Sequence, residues 1–327
     1  MLKTIKISQL KVGMYVVLPQ SWFNHSFLKN QFLIESEKQL QKVHQSGFDE
    51  IPIDTDKGYD LKEYIDREEE KPAPQKKPEP AKLESEQFKE AIRNEHLPPE
   101  IKAKIVYSRS LDIMKNLFES PKAEAIQEVK ETAYDIVDLI LGDNDTSNCL
   151  LQIGAHDYYT YTHSVNVGVL SISLIKKLYK GYNEQVMHDL GAGFFLHDIG
   201  KVRVDPAIIN KPGKLTIEEM HQMQRHTSKG YKVLAEAGHL NNECKKIVLH
   251  HHEREDGSGY PRGLSGYQIH DYGRICSISD VFDALTSNRS YHKSMQLYDA
   301  LTYMKEKMLH HFHKEIFAEF VRLFMKK

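Results

Sequence analysis

The chain has 327 residues, enough for about two domains, and 40% of them are apolar, ample for a core in each. With 44 Lys and Arg against 46 Asp and Glu the formal charge is −2, so no basic field advertises DNA as a partner. Cys149, Cys244 and Cys276 have no C-x-x-C spacing and cannot all pair, no apolar run reaches the ~18–20 residues of a membrane span, and Met1–Lys6 lacks a signal core. The expectation is a soluble cytoplasmic protein.

In chain order, residues 1–66 read as a small mixed α/β domain. Short β-prone runs (Ile5–Leu10, Met14–Leu18, Glu50–Ile53) alternate with turn signals at Gly13, Pro19 and Gly47. Ser36–Val43 has helical spacing and leads into Gly47, a helix stop. Residues 67–84 are rich in charge and proline, with four prolines between Pro72 and Pro80, and read as an extended linker. From about 85 the pattern is helical. Ile105, Leu111, Met114, Leu117 and Phe118, then Ala125, Val129, Tyr134, Val137 and Leu141, recur at three- and four-residue steps. We divide this part into a helical connector, 85–145, and a helical domain, 146–327.

That last domain carries the chemistry. His163 shares a helix face with Val167, Leu170 and Leu174. Leu190, Phe194 and His197 form an inward stripe over 186–198, which Gly200 ends just after Asp198. Thr216 to Glu219 is a capping-box start ahead of His226. His251 and His252 close one helix. Asp280 stands one turn before Asp283 on another. An unpaired polar group inside a bundle is costly. Imidazoles and carboxylates are the donors of Fe, Mn or Zn sites, and coordination resolves the cost for the whole set together. In the His197–Asp198 pair the histidine can serve one ion while the aspartate bridges two.

A lone histidine is more often a satisfied core residue than a ligand, so the set counts only together. His156–Asp157 is a decoy pair, lacking the apolar helix before it and the Gly-Lys after it. His310, His311 and His313 belong to a solvated helix start. Of the triplet at 250–252, phase and the following Glu253 favour His251 and His252. The Asp256–Pro261 stretch reads by itself as a turn.

Phe195 to Lys201, Asn210 to Thr216, Arg225-His226, His251 to Arg254, Asp256 to Leu264 and Arg274 to Ser287 together resemble the HD-GYP family of cyclic di-GMP phosphodiesterases, over about 155–325. Residues 1–66 resemble the small domain of unknown function that often precedes it. The resemblance implies a mostly α protein, an all-helical HD-type phosphohydrolase bundle behind that small mixed domain. It makes His163, His197, Asp198, His226, His251, His252 and Asp280 ligands of two divalent ions, iron or manganese, with Asp198 bridging. Asp198 and Lys201 become the catalytic residues, with Lys201, Arg289, His292 and Tyr260 near the substrate. Tyr159 stands where some members carry a glutamate for a third metal, and His292 where Arg or Lys is usual. Phe312-His313-Lys314 replaces a common Phe-Asp-Pro and alters a helix start. The loop at Gly259–Pro261 is associated in the family with partner contacts, which implies a diguanylate cyclase docking there; a homodimer is left open.

The implied reaction is attack of water on a 3′–5′ phosphodiester of cyclic di-GMP, giving linear pGpG, with a further step to GMP left open. Two alternatives remain: hydrolysis of another cyclic dinucleotide or nucleotide, since the metal ligands do not choose the base, and a catalytically weak receptor, against which the intact ligand set argues.

Overall fold

The computed structural model describes residues 2–17, 31–34, 37–44, 49–58, 80–153, 159–179, 181, 183–238, 241–288 and 294–325, and falls into two compact units, Met1–Glu79 and Pro80–Lys327. In the first unit, strands β1 (Leu2–Lys6), β2 (Tyr15–Val17), β3 (Gln31–Leu33) and β4 (Glu50–Asp54) pair antiparallel in the order β1-β4-β2-β3. Ile5 lies opposite Ile51, and Val16 opposite Ile53, so alternating side chains reach one face. There they meet Leu10, Met14, Leu40 and Val43, the last two from α1 (Glu37–His44).

Sequence and structure differ here in small ways. The run expected as a strand over Ile5–Leu10 leaves the sheet at Lys6. Gln9 Oε1 accepts Lys6 N–H at 3.2 Å, folding Ile7–Gln9 into a 3-10 turn that tucks Leu10 into the core. Strand β3 is three residues long and carries no periodic signal. Leu18, Pro19 and Gly47 lie outside the described residues, as does 59–79. Of the stretch read as a linker over 67–84, residues 67–79 lie outside the described residues and Pro80 opens a helix, where proline is pre-set for the first helical position.

The second unit is helical: α2 (Pro80–Arg93), α3 (Pro99–Glu119), α4 (Ala123–Gly142), α5 (Asn144–Ile153), α6 (Thr160–Leu178), α7 (Glu184–Phe195), α8 (Pro206–Ile209), α9 (Ile217–Gln224), α10 (His226–Ala237), α11 (Asn242–His250), α12 (Asp271–Thr286), α13 (Leu297–Lys307) and α14 (Lys314–Val321). Helix α6 is buried without interruption from Thr162 to Ile175, its polar members among them being small serines and threonine together with His163 and Asn166. It packs on α3, α7 and α12. One hydrophobic core runs from Phe88 on α2 to Phe320 on α14 and includes side chains from the helices on both sides of 145–146. On α3 the inward stripe is Ala103, Val106, Tyr107, Ser110, Ile113, Met114 and Leu117; Ile105, expected inside, is exposed. The inward phase thus puts a tyrosine hydroxyl into the bundle.

Candidate metal centre

The donor side chains sit at helix ends and turns around α6. His163 lies one turn into α6, its N–H bonded to Tyr159 O at 2.9 Å. Helix α7 ends at Phe195, earlier than expected, and His197 and Asp198 occupy the turn between it and a 3-10 turn, Ile199–Arg203. Gly200 does not act chiefly as a helix stop. A Cβ there would fall 1.8 Å from His226 O and 2.4 Å from Gly230 N, so glycine lets this turn press against α10. The capping box at Thr216–Glu219 starts α9, and His226 opens α10 directly after it. His251 caps α11, His252 follows, and Asp280 lies within α12.

These elements bring all seven residues together. One group is Asp198, His226, His251 and His252; the other is His163, His197 and Asp280. Asp198 faces both. Its Oδ2 is 3.6 Å from His163 Nε2 and 3.4 Å from His197 Nε2, while Oδ1 is 3.2 Å from His226 Nε2 and 3.8 Å from His251 Nε2. Asp280 spans the groups as well, with Oδ1 3.0 Å from His163 Nε2 and Oδ2 3.4 Å from His252 Nδ1.

The opposite ring nitrogens explain the aim of the imidazoles. Nδ1 of His197, His226 and His251 meets the carbonyl three residues earlier, on Phe194, Met223 and Val248, at 2.9, 2.8 and 2.9 Å. His163 Nδ1 instead donates to Asp283 Oδ2 at 2.7 Å. A carbonyl can only accept, so each Nδ1 carries the hydrogen and each Nε2 of a neutral ring turns a lone pair inward. His226 Nε2 and His251 Nε2 stand 3.2 Å apart, and His197 Nε2 and Asp198 Oδ1 are buried without a hydrogen-bond partner among the described residues. Converging acceptors deprived of water are the donor set a divalent cation satisfies, and the absence of thiolates favours a borderline ion over a soft one.

Electrostatics agree. Burial opposes an ionised Asp198, yet the Lys201 ammonium, 2.5 Å from Oδ2, and the surrounding imidazoles hold its carboxyl well below the usual range. Burial likewise opposes ionised Asp280, but His163 and His252 pull it down. His251 is kept neutral by burial and by His252, His197 and His226, and His252 by burial. Anionic carboxylates and neutral imidazoles are the forms that coordinate.

Around this cluster, Tyr260 lies tilted against His252, ring centroids 4.6 Å apart, and its N–H bonds to His252 O at 3.1 Å. Buried Glu253 accepts the N–H groups of Arg262 and Leu264, both at 2.8 Å, stapling the loop beneath the site. Gly259 passes so close to His252 O and Arg254 N, 2.5 Å from a virtual Cβ, that no side chain fits. His250 points elsewhere, its Nδ1 accepting His270 N–H at 3.2 Å. Tyr159 is exposed and stacked on Tyr161. His310 and His311 lie in a 3-10 turn beside Asp256, and His313 precedes α14. Arg289, His292 and the pair His156–Asp157 lie outside the described residues. The sequence reading missed roles for Asp283, Asn166 and Glu253; for Asp283 the available signal was its one-turn spacing from Asp280.

The chain is similar to known proteins in sequence and in fold. Residues 168–316 match the HD domain family, and residues 2–132 match a domain of unknown function, DUF3391. A cyclic di-GMP phosphodiesterase of Pseudomonas aeruginosa is 35% identical, with 98% of this chain and 76% of that protein aligned. A 3′3′-cGAMP-specific phosphodiesterase of Vibrio cholerae is 38% identical over 48% of this chain and 36% of its own length. In fold, the chain is similar to an HDGYP protein of Bdellovibrio bacteriovorus, with a TM-score of 0.63 at 17% identity and 99% of both chains covered.

Two outcomes follow from this geometry. Gly200→Ala forces the turn off α10 and should cost at least about 3 kcal/mol in denaturant unfolding; a wild-type midpoint would refute the close packing. For chelator-treated protein, the lowered values of His251 and His252 mean that unfolding takes up protons below ~6.5, and those of Asp198 and Asp280 extend the effect below ~4. Stability is therefore fully present above ~6.5 and falls as pH falls. Thermal unfolding should show a Tm level between pH 7.5 and ~6.5 and decreasing from there to pH 4.5, and a Tm that stays level or rises below ~6.5 contradicts the assignment.

Proposed function

We infer the activity from one premise: the chain belongs to the HD-GYP family of cyclic di-GMP phosphodiesterases. It is a metal-dependent phosphodiesterase that hydrolyses cyclic di-GMP. The observation that supports this most is the carboxylate of Asp198, whose two oxygens face two separate sets of inward lone pairs.

We assign His163, His197 and Asp280 to one divalent ion and His226, His251 and His252 to a second, with Asp198 shared. The exposed ring of Tyr159 offers no carboxylate for a third. Iron or manganese suits a set of imidazoles and carboxylates without sulfur. When bound, the ions supply Lewis acidity and make a water nucleophile available near neutral pH.

The chain's own residues do the rest. Asp198, ionised and buried, holds the reacting water's surroundings negative and accepts a proton at Oδ2. Lys201 Nζ, already 2.5 Å from that oxygen, is placed to neutralise charge growing on the non-bridging phosphoryl oxygens. Tyr260, beside His252, walls the mouth where a nucleotide enters. Water adds to phosphorus and gives one proton to Asp198, the bond from phosphorus to the 3′ oxygen breaks, and the 3′ oxygen leaves with that proton. The product is linear pGpG, and a second round gives GMP. Arg289 and His292 are assigned to nucleotide contact from the family motif.

The loop over residues 256–264 is the proposed docking face for a diguanylate cyclase. A cytoplasmic location is supported by three unpaired cysteines. Among the described residues no helix is long and apolar enough to cross a membrane.

A second reading, cleavage of 3′3′-cGAMP, has a specific basis in the Vibrio cholerae relative named for it. The metal cluster sees only a phosphodiester, so base contacts must decide. In a mixed-substrate assay we expect cyclic di-GMP to be consumed first. Cyclic di-GMP left intact while 3′3′-cGAMP disappears selects the second reading. Asp198→Asn should lower cyclic di-GMP hydrolysis at least about a hundredfold, or about 3 kcal/mol, with metal content reduced. An unimpaired variant would remove Asp198 from the mechanism.

A further inference from the structure

Three of the inward imidazoles are aimed locally, each by a carbonyl of its own chain three residues back. His163 is aimed differently. Its Nδ1 donates to Asp283 Oδ2 at 2.7 Å, the other Asp283 oxygen accepts Asn166 Nδ2 at 2.6 Å, and Asn166 Oδ1 accepts the hydroxyl of Tyr107 at 2.7 Å. All four side chains are buried, none more than 7% exposed. We propose that Tyr107, Asn166 and Asp283 are positioning residues, a hydrogen-bond relay through which the connector helix α3 sets the aim of His163 as a metal donor. The proposal rests on the metal reading above and extends it to a helix that reading does not use.

The direction of every bond is fixed by chemistry. A carboxylate only accepts, so Asp283 takes one hydrogen from the imidazole and one from the amide. Both its oxygens are thereby committed and the group cannot rotate freely. The amide, having given its hydrogen to Asp283, presents its oxygen to Tyr107, whose hydroxyl fixes that orientation. Each member orders the next, and the final effect is an Nε2 lone pair turned toward Asp198 and Asp280. Outer partners of this kind are worth about ten- to a hundredfold in metal affinity when lost. Tyr107 acts two bonds further out, where one hydrogen bond corresponds to roughly a three- to tenfold effect.

The relay has an organisational consequence. Tyr107 lies in the stretch matching DUF3391, residues 2–132, whereas Asp283 lies in the HD-domain match, residues 168–316. His163 and Asn166 fall between the two. The His163 side of the metal centre therefore depends on how α3 packs on α6, whereas His197, His226 and His251 are oriented within their own segments. A shift of α3 loosens one ion before the other.

The test uses the full-length chain loaded with Mn²⁺ and titrated with a graded chelator, reading Mn per chain alongside the Tm of the metal-free protein. His163→Ala identifies which ion belongs to the His163 side. We expect Tyr107→Phe to release that ion about three to ten times more readily and Asp283→Asn about ten to a hundred times. The second ion should keep its wild-type profile. Ser110→Ala, one turn along α3, removes only a bond to Val106 O of the same helix and should behave as wild type. The proposal is overturned if Tyr107→Phe retains both ions like wild type. It is also overturned if both ions weaken together as the metal-free Tm drops, which is the signature of a packing role. Wild-type protein that takes up no Mn²⁺ overturns the metal reading, and the relay with it.

Discussion

Buried lone pairs with no hydrogen to receive are the constraint around which this structure is arranged. His226 Nε2 and His251 Nε2 face each other at 3.2 Å, and His197 Nε2 and Asp198 Oδ1 have no hydrogen-bond partner among the described residues. Leaving such groups unsatisfied costs about 1–3 kcal/mol apiece, more for a charged one. A folded chain tolerates that concentration of cost when something outside the chain relieves it. On the proposed reading divalent cations would do so, and they would convert a destabilising cluster into a reactive one.

The fold supplies what that cluster requires. Helix α6 is buried on every side and offers a rigid axis for His163. The turn carrying His197 and Asp198 reaches α10 because Gly200 has no side chain to keep it away. Glu253, sunk below the loop after His252, satisfies two backbone N–H groups and leaves Tyr260 standing beside that imidazole. Each support is local except at His163, where side chains from three helices are linked in series. Chemistry at the mouth and packing of the connector thus meet at a single ring.

Most of the site was legible in the sequence because its donors are chemically unusual for a bundle interior. Seven imidazoles and carboxylates at inward phases are hard to mistake for core, and the structure does gather those seven. The supports were less legible. Asp283 looks like any carboxylate one turn from another, and Asn166 and Tyr107 become meaningful only once α3 lies against α6. The inward phase of α3 was misjudged at Ile105 because apolar periodicity passes over a buried tyrosine whose hydroxyl is bonded. Similarly, Gly200 reads as a helix stop until its neighbour across the turn is known. In the first unit, strand β3 spans three residues, too few for alternation to register, and the turn at Ile7–Gln9 depends on one side-chain bond from Gln9.

The claim most exposed to test is that Asp198 stands between two ions. Anomalous scattering from crystals of Mn²⁺-loaded protein measures this directly. The account predicts two peaks flanking the Asp198 carboxylate, one within reach of His163 and His197 and the other within reach of His226 and His251. A single peak away from Asp198, or none at full loading, contradicts it.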